Sequence, residues 1–458
     1  MLIYNYFCNF AHIINNIIKK EMVMRHLRWM PLLIVIAVVI ANNSCTSRDL
    51  FDEKITQEIS DSLSPVDTLD KYHDWSLTDT RSIAVETNAN VNAQWLKILT
   101  ADPRQTEDAE VVAQVMTSSD QTAYFMSFCY PSILETLYAA LIDDQGRYTV
   151  TAFPTSQSKV DFSEPLYTQQ LIAYTPQPQA FVYCYEDEMP DFLTVDFDFN
   201  DIILNIAYER TGEREMRFHV ELAAVGTGRQ VGAAIRLKNF KYNDIESVTT
   251  VDDASFNVNN SGQDVPDQLL VVHKDRTPLL MSNNGSEEAV INLFCDAHWA
   301  TGDLLTENYG QIQRKRYNVA KGSGTDYQTM VPREVTYIVT FKSALGLENL
   351  NFDLIDPFII KEYNGGIFEV HQYAKRNDWV LNEYRVADIV KLPWALVIPY
   401  KKFRHTLEGV NIGFKKKDIL GFGAYSRDRG HTFGEWSMDH TIAKDWYLNE
   451  HATDNQVY

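Results

Sequence analysis

The sequence has few cysteines, and none has the spacing that zinc ribbons or redox sites use. Only five occur in 458 residues, and no two of them form a C-x-x-C pair. Zinc-ribbon and thioredoxin chemistry are therefore disfavoured. Cys8 and Cys45 lie near the N-terminus. Cys129, Cys184 and Cys295 can form one intrachain disulfide at most, and each fits equally well as a small buried hydrophobic residue.

Positive charge is also scarce. The chain has 41 Lys and Arg against 62 Asp and Glu, which gives a formal net charge of −21. An acidic protein is repelled by nucleic-acid phosphates and by anionic lipid headgroups. We therefore expect no nucleic-acid partner, and any membrane attachment has to come from a lipid anchor instead of a basic patch.

Established catalytic motifs are missing as well. There is no G-x-S-x-G, no H-E-x-x-H and no setting for a nucleophilic cysteine. The chain is therefore expected to be non-catalytic. Paired carboxylates for glycoside hydrolysis stay an open alternative, because their separation cannot be read from sequence. A zinc or carbohydrate site is conceivable near the C-terminus, although its spacing matches no established ligand pattern. Its candidate residues are His431, Asp439, His440 and Asp445.

A short apolar run near the N-terminus predicts the compartment. A basic segment begins at Met24, an apolar stretch covers 32–41, and a small residue stands just before Cys45. The stretch is too short to span a bilayer but suits a signal peptide. We predict a signal peptide over 1–44, with 1–23 an upstream extension from a mis-set start. The cleavage point resembles a bacterial lipobox, which implies that Cys45 is lipidated. Ordinary cleavage with an incidental cysteine is the alternative.

The remainder is organised as short strands separated by turns. Residues 45–72 are polar and predict a flexible tether. The strand spacing over 73–165 predicts an immunoglobulin-like β-sandwich, with a helical turn or two only at 107–115. Residues 166–458 predict a larger antiparallel β-sandwich, jelly-roll-like. Strands never alternate with long helical patterns, so a parallel α/β sheet is disfavoured and the fold class is mainly β.

The clearest local signal is a hairpin in the larger region. Ile202–Arg210 and Glu215–Val225 are joined by a turn, and apolar residues of the second segment alternate with polar ones in the period of a half-buried strand. Further strands are predicted at 231–240, 268–273, 289–295, 334–341, 353–360, 367–373 and 395–398.

An acidic run at 185–201 immediately precedes that hairpin. If 195–200 is extended, Asp196, Asp198 and Asn200 point to one face, while the two intervening phenylalanines anchor the other. Glu186, Asp187 and Asp201 would then complete a shell of oxygen ligands. Ca²⁺ takes six to eight such oxygens, so the run predicts a structural calcium site.

The run does not have EF-hand spacing, because the glycine position of that loop holds Asp201 and the terminal glutamate position holds Ala207. Two alternatives stay open. In the first, the run is a solvated loop whose Asp and Asn side chains cap their own turns. In the second, its carboxylates are paired with Arg or Lys.

These same residues carry a family resemblance. Tyr185-Glu-Asp together with Asp196-Phe-Asp-Phe-Asn-Asp resembles the "ED…DYDFNDVV" signature of the LruC domain lipoproteins of Bacteroidetes. Segments beginning at Asp356, Leu392 and Phe403 resemble later motifs of that family in the same order. The resemblance implies an exported lipoprotein without an established activity. Phe197 replaces the signature's Tyr, which leaves cation binding through carboxylates intact but removes any role for a Tyr hydroxyl.

The sequence as a whole predicts a cell-envelope protein, anchored to the outer membrane by a lipid on Cys45 and facing the periplasm or the surface. Its expected role is non-catalytic binding or architecture, with Ca²⁺ as a structural ion and glycans or envelope proteins as candidate partners. The alternative is a glycan-binding or glycan-degrading surface lipoprotein. The aromatic content of 12% is compatible with it, because sugars stack on exposed rings.

Overall fold

A computed structural model describes residues 69–458 with internal gaps. These gaps are 71, 88–92, 163–168, 189–194, 252–287, 302–304, 309–310, 322–325, 364–365, 373–379, 382–383, 386–391, 415–422, 449–451 and 453–454. The predicted signal peptide, Cys45, nearly all of the tether and the predicted strand at 268–273 lie outside the described residues.

The first part of the described chain forms two facing sheets. Its strands are β1 (Thr78–Glu86), β2 (Ala93–Leu99), β3 (Val111–Met116), β4 (Ala123–Pro131), β5 (Thr136–Asp143), β6 (Arg147–Pro154), β7 (Lys159–Asp161) and β8 (Gln170–Leu171). One sheet has the order β4-β1-β7 and the other β3-β2-β5-β6-β8. Alternate apolar residues of both sheets, among them Val85, Ile98 and Phe128, form one buried cluster. Alternation along each strand therefore supplies this core.

The expectation of a helical turn at 107–115 is wrong over its second half. Val111–Met116 is a strand whose residues pair with Leu99 to Trp95 of β2. A second backbone partner comes from Gln177, whose carbonyl accepts the Val111 N–H at 2.8 Å. Pairing on both sides satisfies the backbone in an extended conformation, and this tertiary context overrides a weak local preference.

The larger region contains the remaining strands. They are β9 (Ala180–Tyr185), β10 (Ile202–Arg210), β11 (Glu215–Val225), β12 (Val231–Lys241), β13 (Ile245–Thr250), β14 (Glu288–Phe294), β15 (Leu305–Asn308), β16 (Gln311–Arg314), β17 (Arg316–Tyr317), β18 (Tyr327–Gln328), β19 (Arg333–Phe341), β20 (Ile355–Tyr363), β21 (Gly366–His371), β22 (Val380–Leu381), β23 (Tyr384–Arg385) and β24 (Ala395–Ile398). Short helices are α1 (Ala297–Thr301) and α2 (Phe433–Met438), with 3₁₀ turns at Tyr242–Asp244, Leu347–Asn349 and Trp446–Leu448.

Two sheets of this region share a core. The main path of the larger sheet is β13-β19-β11-β10-β9-β24, and the smaller sheet has the order β14-β12-β20-β21. Leu204 and Phe218 of the larger sheet lie in one buried cluster with Ile235 and Ile359 of the smaller. The predicted hairpin is confirmed as β10–β11, and the other predicted strands within the described residues correspond to β12, β14, β19, β20, β21 and β24.

The mainly β, antiparallel fold class is therefore confirmed. The domain boundaries stay predictions.

A second buried cluster covers the outer face of β9, β10 and β24. It contains Val182 and Ile203 from the sheet and a group of aromatic residues from the C-terminal segment and the N-terminal residues 69–77. The group includes Trp75, Phe414, Phe433, Trp436 and Trp446. The strand pair that flanks the acidic run is thus buried on both faces.

The three cysteines after Cys45 are buried and free. Cys184 lies in β9 and is fully buried beside apolar side chains. The small-hydrophobic interpretation therefore fits the described cysteines better than a disulfide.

Candidate metal centre

The hairpin-like return of the chain brings the two ends of the acidic run together. Tyr185, the last residue of β9, pairs with Ile202, the first residue of β10. Glu186 and Asp187 therefore lie beside Asp201, where β9 ends and β10 begins. The backbone N–H of Asp187 donates to Asp201 Oδ2 at 2.6 Å.

The expectation that 195–200 is extended is wrong. Phe197 and Phe199 have φ of 59° and 53°, which is the left-handed region that side-chain-bearing residues seldom adopt. Long-range contacts hold them there. The Phe197 carbonyl accepts the Ile412 N–H at 2.8 Å, its ring centroid lies 5.1 Å from that of Phe414, and Phe199 is buried in the aromatic cluster. The two rings thus anchor the segment, as expected, but the backbone turns instead of running straight.

Three predicted ligands converge in spite of this. Carboxylate oxygens of Glu186, Asp196 and Asp198 all lie within 4.8 Å of one another. Ligands of Ca²⁺ stand 2.3–2.6 Å from the ion, so oxygens around one ion are separated by up to about 5 Å. Glu186 and Asp198 are buried, whereas Asp196 is exposed. We call these three residues the first triad.

A second group shares Glu186. Its oxygens and those of Glu188 and Asp201 also lie within 4.8 Å of one another. We call this group the second triad. Glu188 was missed by the sequence prediction, although it belongs to the same acidic run and its position next to Asp187 was the available signal.

Two predicted ligands have other partners. Asp187 pairs with Arg229, with 2.8 Å between Oδ1 and Nη1, and also accepts the Thr227 hydroxyl. For this residue the alternative of an Arg partner is what the structure shows. Asn200 is buried and its Nδ2 donates to the Thr406 carbonyl at 3.1 Å, so it ties the segment to the C-terminal region.

Backbone N–H groups donate hydrogen bonds to the first triad and to the residues beside it. The Phe199 N–H donates to Glu186 Oε1 at 2.7 Å, and the Gly409 N–H donates to Asp198 Oδ2 at 2.7 Å. Gly226 donates its N–H to the carbonyls of Asn200 and Asp201, each at 3.0 Å. A Cβ at Gly226 would stand 2.0 Å from Asn200 Oδ1, so only glycine allows this approach.

Burial makes the charged state of these carboxylates costly. It raises the pKa of Glu186, Asp198 and Asp201 well above the ordinary range, and repulsion from neighbouring carboxylates adds to the effect. Burial likewise raises the pKa of Glu408 to about 7, even though Arg316 lies beside it. An ion with positive charge would reverse these shifts.

The hydrogen-bond donors and positive charges of the protein do not fully compensate these buried carboxylates. Oε2 of Glu186 is buried and, among the described residues, has no hydrogen-bond partner. The nearby cationic side chains are Arg229, Arg316 and Lys361. They share a neighbourhood with seven carboxylates. These are Glu186, Asp187, Glu188, Asp196, Asp198, Asp201 and Glu408. The donor set is made of hard oxygens, and therefore suits Ca²⁺ better than a soft transition metal.

The predicted C-terminal His/Asp group does not come together as one site. His431 pairs with Asp445, with 2.6 Å between Nδ1 and Oδ2, whereas His440 pairs with Asp70 from the N-terminal part of the described chain. Asp439 accepts the hydroxyl of Thr441 at 2.6 Å. Asp70, Asp439 and His440 do form a small group of ligand atoms, and the sequence had no signal for the contribution of Asp70.

Comparison with known proteins supports a domain match but no activity. Residues 214–436 match a family described as a domain of unknown function, DUF4842. This stretch includes Gly226, Arg229, Lys361 and Gly409, but the acidic run precedes it. No curated protein matches the chain.

A solved structure described as that of a candidate lipoprotein from Bacteroides ovatus is similar over 80% of this chain and 99% of its own, with 15% identity and a TM-score of 0.45. Within the described residues, no helix has the length and apolar character needed to cross a membrane.

Proposed function

We propose that the chain is an exported, lipid-anchored protein of the cell envelope with a non-catalytic binding or structural role, and that its acidic run holds a structural Ca²⁺. The LruC-like motifs and the signal-peptide pattern support export and lipidation. The calcium proposal is carried by a single observation. Glu186 is fully buried among other carboxylates, and its Oε2 has no hydrogen-bond partner within the described residues.

The energetic argument follows from that observation. A buried carboxylate without a counter-charge costs several kcal/mol unless it is protonated or neutralised. Protonation would leave the oxygens of the first triad facing one another with few donors to share. A divalent cation would satisfy them together and connect the β9–β10 junction to the C-terminal segment through Asp198 and Gly409.

Calcium binding is tested by thermal unfolding and calorimetry on the purified, chelator-treated chain. Saturating Ca²⁺ should raise the melting temperature, and at a hundred times Kd the gain is about 2.7 kcal/mol. Glu186→Gln should abolish the response. The matched control is Asp144→Asn, which removes an exposed turn carboxylate outside the cluster and should leave the response unchanged. An unchanged melting temperature with Ca²⁺ in the unsubstituted chain would reject the calcium proposal.

Lipid anchoring has its own test. Cells that express the full chain and are fed a labelled fatty acid should incorporate label into the protein and retain it in the membrane fraction. Cys45→Ser should lose both the label and the retention, whereas Cys8→Ser should lose neither. Label retained in Cys45→Ser would contradict the anchor. Separation of inner and outer membranes then tests the outer-membrane assignment.

A glycan-binding or glycan-degrading role is the alternative. The tryptophans at 75, 299, 394, 436 and 446 are buried, and no tryptophan whose burial the structure describes is exposed. That part of the chain therefore offers no exposed tryptophan for stacking, although Tyr72 and Phe125 expose their rings. A glycan array probed with the chain lacking its lipid tests it directly.

A further inference from the structure

The two triads share Glu186 but differ in their basic neighbours. Within the described residues, no Lys, Arg or His nitrogen lies within ion-pair distance of Glu186, Asp196 or Asp198. The half-buried Arg316, which pairs with Glu408, acts on Asp196 electrostatically without pairing with it. Among the described residues, the donors to these three carboxylates are backbone N–H groups. Phe199 donates to Glu186, Asn200 and Gly409 donate to Asp198, and the backbone at Asp196 and Asp198 donates to Asp196.

The second triad faces buried positive charge. Lys361 is fully buried and stands on β20, where its Cα pairs with that of Val231 at the start of β12. Its ammonium interacts electrostatically with Asp187, Glu188 and Asp201. Arg229, two residues before Val231, adds a guanidinium that pairs with Asp187 and also acts on Glu188. Lys361 of the smaller sheet and Arg229 in the turn before β12 thus supply two positive charges to one side of the cluster.

This asymmetry sharpens the calcium proposal and rests on it. We propose that the cluster binds one divalent cation, held by Glu186, Asp196 and Asp198, and that Lys361 with Arg229 replaces a second cation beside Glu188 and Asp201. Without that pair of side chains, the sharing of Glu186 by both triads would fit a two-cation centre bridged by one carboxylate.

The hydrogen bonds leave the first triad open to an ion. In the first triad, Glu186 and Asp198 are oriented by backbone donors, and Oε2 of Glu186 stays open towards the ion. A carboxylate has about four lone-pair positions, so one N–H leaves room for metal ligation. In the second triad, Asp201 Oδ2 also accepts one N–H, from Asp187, so the two triads are distinguished by the buried Lys361 and not by their hydrogen bonds.

The positive charges of Lys361 and Arg229 disfavour a second ion. A divalent cation between Glu188 and Asp201 would be repelled by the Lys361 ammonium and the Arg229 guanidinium, which act on these carboxylates, and such repulsion is strong in a poorly solvated interior. An ammonium already in place neutralises the carboxylates without further dehydration of a metal ion. Lys361 is accordingly a residue that sets how many ions the cluster holds.

The test compares one isosteric variant from each triad, at positions that are not fully buried. Calcium is titrated into the chelator-treated chain by calorimetry, and the number of bound ions is counted by native mass spectrometry. Asp196→Asn should weaken Ca²⁺ binding by about tenfold or more, because a charged ligand is lost. Glu188→Gln should keep one ion with an affinity within about threefold of the unsubstituted chain.

The results separate this inference from the calcium proposal itself. If the unsubstituted chain binds no Ca²⁺, the proposed calcium function fails. If it binds two ions, or if Glu188→Gln weakens binding as much as Asp196→Asn, calcium binding stands and the division of the cluster is overturned.

Lys361→Met tests the role of the ammonium. This variant should bind a second Ca²⁺ at millimolar concentration, since Glu188 and Asp201 lose their counter-charge. Lys342→Met, which removes an exposed lysine, is the control and should bind one ion. A folded Lys361→Met chain that still binds one ion would overturn the role assigned to Lys361. If that variant does not fold, the comparison of Glu188→Gln with Asp196→Asn decides the matter alone.

Discussion

Buried carboxylates occur in two regions of this protein, and they are neutralised in opposite ways. In the N-terminal sheets, Asp102 is bound by Arg104 through both oxygens, at 2.9 Å and 2.7 Å. Asp143 is bound by Arg147 through its backbone N–H at 2.8 Å and its Nε at 2.6 Å. Each partner lies within four residues of the carboxylate, so the turn carries its own counter-charge.

The pKa values follow this difference. The side-chain hydrogen bond from Arg104 lowers the pKa of Asp102, and for Asp143 the hydrogen bonds from Arg147 lower the pKa despite the opposing effect of burial. In the acidic run, burial raises the pKa of Glu186 and Asp198 well above the ordinary range. The carboxylates of the acidic run lie deeper and have no arginine in the same turn, and both differences raise their pKa relative to Asp102 and Asp143.

The largest expected change in stability comes from Gly226, which packs against the backbone of the acidic run at Asn200. Gly226→Ala would place a Cβ 2.0 Å from Asn200 Oδ1 and 2.7 Å from its carbonyl oxygen, so the backbone has to shift. We expect the free energy of unfolding, measured in urea, to fall by about 3 kcal/mol.

Gly212→Ala is the control, because its nearest contact would be an ordinary 3.5 Å, and its change should stay within about 0.5 kcal/mol. Equal losses in both variants would show that the close approach at Gly226 has no special cost.

The second effect is a pH dependence of the calcium response. The pKa of Glu186, Asp198 and Asp201 is raised in the folded chain, so the folded state binds more protons than the unfolded one. Their contribution to stability is therefore present at low pH and is lost as the pH rises through the folded pKa. Ca²⁺ should replace the protons at high pH and compete with them at low pH.

The melting-temperature shift caused by Ca²⁺ should accordingly be larger at pH 8 than at pH 5. At pH 8 and a hundred times Kd, the expected gain is about 2.7 kcal/mol. Taking the difference with and without Ca²⁺ at each pH removes the contribution of all other titrating groups that the ion does not touch. Equal shifts at both values would contradict the protonation of this cluster.

The smallest effect contrasts the two regions directly. In a chelator at pH 7, Asp143→Asn should lower the free energy of unfolding by about 2 kcal/mol, because it removes charged hydrogen bonds from Arg147. Glu186→Gln should raise it by about 1 kcal/mol, since Gln keeps the acceptor for the Phe199 N–H and replaces a repelled oxygen with a donor. If chemical denaturation showed that both substitutions change the free energy of unfolding in the same direction, the contrast between the two regions would be wrong.

Much of the fold could be predicted from local pattern. The β10–β11 hairpin follows from alternation of apolar and polar residues on either side of a turn, a signal that depends only on neighbours in sequence. The strand β3 was missed because its extended conformation depends on pairing with β2 and with Gln177. Local preference is weak there, so the partners decide.

The candidate site divides in the same way. The acidic run itself identified Glu186, Asp196, Asp198 and Asp201, which the structure brings together. It did not identify the arginine that forms an ion pair with Asp187, because Arg229 lies 42 residues further along the chain. The left-handed backbone of Phe197 could not be predicted either, since it is held by Ile412 and Phe414.

The sequence by itself determined that this is a mainly β chain with an excess of carboxylates at the entry to a hairpin, because strand period and charge are properties of adjacent residues. Only the tertiary structure decided which of those carboxylates are buried, which receive an arginine or a lysine, and which are left facing one another. Burial and Coulomb interactions depend on distances in space, and here those distances are set by segments that lie tens to hundreds of residues apart.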